Sequence, residues 1–253
     1  MLDFLQLSAA FLVLVRISAF TITAPFFSIK GIPVLTKVGF AVLLTFLTIP
    51  FVPQLESVNS VLVFMLLVGK EVMTGILLGF TTNLVLQAVR IGGEMIDLQM
   101  GFAMARVLDP QSGTQVTLMG NVEYTFAILL FFVFNGHHAL ILAIVKSFQL
   151  VPLGAGSFGG DLAQQLVSLF VGMFAVAFKI AAPVLAVLLI SDISLGLVAR
   201  TVPQLNVFIL GFPIKAGLGM LVVALVLPML AGVISDLLVQ MEKDLILIME
   251  SLV

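Results

Sequence analysis

Residues 162–190 read LAQQLVSLFVGMFAVAFKIAAPVLAVLLI, with Lys179 as the one ionisable side chain in the run. A helix that crosses a bilayer needs about 20 consecutive, mostly apolar residues, and this stretch exceeds that length. Five other stretches are comparable: 4–24, 38–55, 61–89, 124–150 and 216–235. Together they describe an all-α integral membrane protein of about six helical segments, several of them broken or bent.

Composition agrees with that reading. Of the 253 residues, 61% are hydrophobic and 9% charged, whereas a soluble domain is roughly 45–50% apolar and about 25% charged. A compact soluble fold must cover its outside with polar groups; a lipid-facing outside removes the need. The net charge of −2 gives no bulk attraction to nucleic acid or to an acidic partner. The absence of cysteine excludes disulfides, thiolate metal sites and thiol catalysis. The opening MLDFLQLSAAFLVLV has no basic stretch before its apolar run, so a first membrane helix is expected rather than a cleaved signal. The even spread of apolar segments favours a single domain.

The spans are unusual in what they contain. Arg16 sits near the middle of 4–24, Lys70 and Glu71 lie in 61–89, and Lys179 precedes Pro183 in 162–190. Pro50 and Pro53 interrupt 38–55. A charge at mid-bilayer costs roughly 2.5–3.5 kcal/mol on the insertion scale, so such residues face a bundle interior, a partner or water. Proline removes an amide donor and kinks or stops a helix. Lys30, Lys37, Arg90, Arg106 and Arg200 fall on one side of the spans, Lys146 and Lys243 on the other. By the positive-inside rule that balance places the N-terminus outside, although the rule presumes unbroken spans.

Asn83, Gln87, Arg90, Glu94 and Asp97 step by 4, 3, 4 and 3, which makes one polar stripe on a helix. Arg90 and Glu94 can pair at i, i+4, and Gln99 extends the polar end. The stripe is either a solvated face at a helix end or a face that lines a pore or docks a partner. It is followed by LDPQSGTQVTLMGN, residues 108–121. Asp109 and Pro110 favour a turn, and Gly113 and Gly120 permit unusual backbone angles. A polar loop of about a dozen residues between apolar helices is a surface linker or a functional loop.

Asn135, Gly136, His137 and His138 lie inside 124–150. Adjacent helical residues point about 100° apart, so the two histidines chelate one ion poorly, and a structural histidine is expected. Gly154, Gly156 and Gly159 match GxGxxG, but no strand precedes them as a dinucleotide site requires, so a flexible loop is expected. Gly75 and Gly79 form a GxxxG pair suited to close helix packing. Pro203 and Pro213 bracket an irregular re-entry into the last apolar helix. No HExxH, GxSxG or phosphate-binding loop is present. Asp192 and Asp236 are not central in any span, which argues against intramembrane aspartyl chemistry. No enzyme activity, metal or cofactor is expected.

Three stretches together resemble the FliR/SctT family of type III secretion export-gate proteins: GEMIDLQMGF at 93–102, FNGH at 134–137 and PQLNVFILGFP at 203–213. The residues that carry the likeness are Gly93, Gly101, Phe102, Asn135, Gly136, His137, Pro203, Gln204, Asn206, Phe208, Gly211 and Pro213. Their order and spacing fit the family over essentially the whole chain, and the second and third stretches look flagellar rather than like the virulence-injectisome relatives. The resemblance implies one copy in a helical assembly with several copies of FliP and FliQ, with FlhB and FlhA nearby, in the bacterial inner membrane at the flagellar basal body. It implies a FliP-like part over 1–160 and a FliQ-like terminal hairpin over 161–253. It also implies a channel for unfolded flagellar subunits, raised partly out of the bilayer and energised from elsewhere. Arg16, Lys70, Glu71 and Lys179 would then be buried in subunit contacts or face the channel. The loop after the GExxxxQxG helix is a plug in this family. Carried onto this chain it covers 106–121, with Arg106, Leu108, Asp109, Pro110, Gln111, Gly113, Val116, Leu118, Met119 and Gly120 as its elements.

The rival reading is a small-solute secondary transporter, which also uses broken helices and buried ionisable residues. No internal repeat supports it. A scaffold subunit with no part in lining the channel is a third reading.

Overall fold

A computed structural model of the chain describes residues 4–25, 32–53, 60–102, 117–204 and 206–253. Among the described residues there are seven helices and no strand. They are α1 (Phe4–Thr23), α2 (Val34–Thr48), α3 (Val61–Met100), α4 (Leu118–Val133), α5 (Gly136–Leu150), α6 (Gly160–Thr201) and α7 (Val207–Ser251). α1, α2, α3, α6 and α7 are each long and apolar enough to cross a membrane; α4 and α5 count as a sixth span if taken as a pair. The all-α membrane architecture and the six apolar segments expected from the sequence are therefore observed.

The helices outrun the apolar runs that announced them. α3 continues through the polar stripe to Met100, and α7 spans 45 residues, far beyond 216–235. Hydropathy ends where side chains become polar, but nothing in the stripe removes a backbone donor, so the helix goes on. Pro183 in α6 and Pro213 and Pro228 in α7 lie within continuous helix. The irregular re-entry expected between Pro203 and Pro213 thus does not extend past Asn206: the chain is helical from Val207 through Pro213. At 1.5 Å per residue, helices of 40, 42 and 45 residues run to about 60–68 Å, twice the hydrocarbon thickness of about 30 Å.

Two breaks have clear local causes. α4 and α5 meet at a bend of 70°, where Asn135 adopts φ 58°, ψ 27°. Asparagine tolerates this left-handed conformation better than most residues. α2 ends in a 3-10 turn, Ile49–Phe51, that contains Pro50.

The chain forms two compact units. The first comprises Met1–Val85, Phe132–Phe170 and Leu238–Val253; the second comprises Leu86–Phe131 and Val171–Leu237. Each draws on chain from both sides of residue 160. In the first unit, α2 packs against α1 and buries Ala41, Leu44, Thr45 and Thr48, one stripe at helical spacing. Its other faces leave Leu35 and Phe46 about four-fifths exposed (82% and 78%). The core of the second unit gathers Ile96 and Met100 of α3, Met119 of α4, Ala181, Val184 and Leu188 of α6, and Val223 of α7.

Candidate functional site

In the first unit, the charges that looked anomalous inside spans form one knot. Arg16 is 0% exposed and Glu71 is 1% exposed. The guanidinium engages both oxygens of Glu71, through Nε to Oε2 and through Nη2 to Oε1 at 3.1 Å. Its Nη1 donates to the Ser147 and Val151 carbonyls at 3.0 and 2.9 Å, at the negative C-terminal end of α5. The ring of Phe148 lies 4.4 Å below the guanidinium carbon, within cation–π range.

Glu71 also accepts the Gly154 amide at 2.8 Å, and the half-buried Lys70 donates to the Gly154 carbonyl at 3.0 Å. Gly154 has φ +76°, a conformation that glycine takes without penalty. The GxGxxG segment is therefore a loop gripped by α3. The paired Gly75 and Gly79 lie where α1 crosses α3. A Cβ on either would come within 2.8 Å of Ala19 Cβ or the Phe20 carbonyl.

In the second unit, the GExxxxQxG residues shape the two roots of the segment 103–116. The upstream root is a glycine-terminated helix end. Gly101 takes φ +90°, its amide donates to the Leu98 carbonyl at 3.2 Å, and the Phe102 amide donates to the Asp97 carbonyl at 3.1 Å. That pair of bonds is the Schellman motif. Phe102 then packs edge-on against Phe212 of α7 at 6.0 Å.

The downstream root is the N-terminus of α4. Its exposed amides are capped by a residue from another helix: Asp97 accepts the Met119 amide at 3.0 and 3.1 Å and the Gly120 amide at 3.3 Å. Asp97 is 2% exposed, so its carboxylate is held by these donors and by the positive end of α4. The approach demands glycine at 93, because a Cβ there would lie 2.7 Å from the Gly120 nitrogen, and it is tight at Gly120, where a Cβ would meet the Arg90 carbonyl at 3.1 Å.

The stripe thus divides by task. Asn83 donates to the Thr23 carbonyl at 3.3 Å in the first unit, and Gln87 is half-buried. Arg90 and Glu94 pair at 3.5 Å with side chains 39% and 40% exposed. Asp97 caps α4. Gln99, off the stripe, donates to Asp192 of α6 at 2.9 Å, and Lys215 of α7 pairs with the same carboxylate. Sequence reasoning found Gln99 but not its link to Asp192 and Lys215, because pairing between separate spans leaves no periodic signal.

Arg106, Leu108, Asp109, Pro110, Gln111, Gly113 and Val116 lie outside the described residues. Leu118, Met119 and Gly120, expected in the loop, instead form the first turn of α4. Met119 is 6% exposed and belongs to the core, whereas Leu118 is 44% exposed. The correction has a plain cause: Asp97 supplies from a distance the N-cap that the local sequence lacks.

Asn135 makes the α4–α5 bend, with Gly136 buried beside it. His137 sits against the rings of Phe132 and His138 at 5.4 and 4.3 Å. Its buried Nδ1 has no hydrogen-bond partner among the described residues. No group of three metal-binding side chains occurs among the described residues. Pro203 and Gln204 are exposed, and Asn206 caps α7 by accepting the Ile209 amide at 3.4 Å. Phe208 and Pro213 belong to α7, and Gly211 is buried with Leu195 3.5 Å from its would-be Cβ. Lys179 is exposed on α6, so its burial would require a surface outside the described residues.

Comparison with known proteins bears on this geometry. Residues 7–241 match the family model described as bacterial export proteins, family 1. The chain is 43% identical over 213 residues to the flagellar biosynthetic protein FliR of Bacillus subtilis, covering 82% of this chain and 81% of that one. It is 34% identical over 222 residues to the FliR of Escherichia coli, covering 86% and 84%. It is 32% identical over 165 residues to the Yop proteins translocation protein T of Yersinia pestis, covering 64% and 62%. Matched along most of its length, the chain belongs to family 1 of the bacterial export proteins.

Proposed function

We propose that this chain is a non-enzymatic subunit of the flagellar type III export channel, and that residues 103–116 close that channel at rest. Membership of the export family supports the first part. The observation that carries the second is the treatment of the segment's two ends. Gly101 stops α3 and Asp97 starts α4, so both roots are fixed on one core while the residues between them are left to another task. A plug that moves aside for an unfolded chain needs such a secured base.

Helices twice as long as a bilayer is thick fit an assembly raised out of the membrane better than a transporter embedded within it. FliP and FliQ are the proposed neighbours, FlhB and FlhA the further ones, and the bacterial inner membrane the proposed site. On this reading 1–160 is the FliP-like part and 161–253 the FliQ-like hairpin. Energy comes from elsewhere, since nothing in the sequence suggests a nucleotide site.

The test is native mass spectrometry of the chain co-expressed with FliP and FliQ and purified in mild detergent. One copy held in a larger hetero-oligomer is expected. A monomer or homodimer indifferent to both partners would overturn the proposal and favour a solute transporter.

A further inference from the structure

Arg16, Lys70, Arg90 and Lys215 all sit within long helices, and each reaches an acceptor inside the chain. Lys179 reaches none among the described residues, and it is exposed. It lies 19 residues into α6 and 22 from its end, about 28 and 33 Å along the axis. No ionisable residue lies between Asp161 and Lys179 or between Lys179 and Asp192. A lysine escapes lipid by extending its stem to the interface, but both flanks are apolar and exposed. Phe174 and Phe178 are 52% and 59% exposed on one side, Leu189 and Ile190 54% and 65% on the other. No bilayer depth wets Lys179 without stranding one flank in water.

The surroundings on its own face narrow what answers the charge. Gly172, Ala175, Ala182 and Ala186 follow the same 3, 4, 3, 4 spacing through Lys179. None offers a polar group, so this is not a wetted channel wall. A lipid phosphate belongs at the surface, remote from a site flanked by apolar helix. An ammonium group in such a setting requires an anion brought to it through protein.

From these observations we infer that the Lys179 face of α6 docks an apolar helix of a neighbouring subunit that carries one Asp or Glu at matching depth. The inference rests on the export-subunit reading and names the chemistry of one of its contacts. Small residues around Lys179 let the two backbones approach closely, which brings a short carboxylate within reach of the ammonium group. The resulting ion pair is buried only in the assembly, unlike that of Arg16 and Glu71, which is complete within the chain.

The test uses the full chain co-expressed with its neighbours, with hetero-oligomer quantified by native mass spectrometry. Lys179→Glu sets acid against acid, and the yield of complex should fall at least about thirtyfold. Lys179→Arg should stay near wild type. Lys179→Met, which enters a membrane more readily than lysine, should keep the membrane level of the chain while the yield of complex falls. Reversing the facing acid to lysine should restore assembly of Lys179→Glu. Equal assembly of all variants would overturn the inference. So would normal assembly with altered channel conductance, which would assign Lys179 to the lumen. A wild-type chain that joins no oligomer would overturn the subunit reading and this inference with it.

Discussion

The charge knot of the first unit and the loop roots of the second solve one problem, buried polar groups, in opposite styles. At Arg16 the donors of the guanidinium are directed to acceptors, and Glu71 spends its oxygens on Arg16 and Gly154. Around α4's first turn the accounts stay open. Thr117 Oγ1 and Glu123 Oε2 are buried with no hydrogen-bond partner among the described residues, and Arg90 Nε meets Glu94 only at 3.5 Å in a pair that is two-fifths exposed. A fully satisfied network has one good arrangement and resists change. A partly satisfied one stores alternatives. The difference teaches where rigidity is placed: the knot fixes the frame, and the roots carry the less saturated contacts, as the proposed plug would need.

The comparison breaks first at Glu71. Glu71→Ala leaves Arg16 buried and unpaired, which should destabilise the detergent-purified chain by about 3–5 kcal/mol. The double change Arg16→Met with Glu71→Leu should recover most of that loss, because it removes both charges. Thermal unfolding of the three chains measures both; a single change that costs under about 1 kcal/mol would reduce the knot to an ornament. Next comes Gly93→Ala, which drives a methyl into the backbone of Gly120 and should cost about 1–3 kcal/mol as overpacking. If it is neutral, α3 and the start of α4 are free to part.

Asp97→Ala removes the cap from α4 and should cost about 1–2 kcal/mol. Its signature is local: the Met119 and Gly120 amides should exchange with solvent faster while those near Arg16 stay unchanged. Uniform acceleration across both units would deny the roots their independence. The smallest expected effect is Gly101→Ala, which forces a side chain into left-handed backbone at about 1 kcal/mol. A stabilising outcome there would contradict the helix-terminating role given to Gly101.

The lengths of apolar runs made the all-helical membrane fold legible, because span length is a property of consecutive residues. The crossing of α1 and α3 was foreshadowed by Gly75 and Gly79, and burial of Arg16 by its place in a span. The link from Asp97 to α4 was not legible. It joins residues more than twenty positions apart, and a helix that starts without a local cap reads as loop, which is why Leu118, Met119 and Gly120 were expected to be unstructured. The meeting of Gln99, Asp192 and Lys215 was hidden for the same reason, since periodicity describes one helix and not its neighbours. Lys179 was visible as an anomaly and still is, because no described residue answers its charge.

The central claim is that the segment between Gly101 and Thr117 closes a channel whose frame does not depend on it. The direct measurement is single-channel conductance of the assembled complex in a planar bilayer, wild type against a chain lacking 109–116 but keeping Gly101, Phe102, Thr117 and the first turn of α4. Equal assembly with a persistent ion leak in the shortened chain is the predicted result. A correctly assembled complex that remains as tight as wild type would contradict the account and return the segment to the status of a linker.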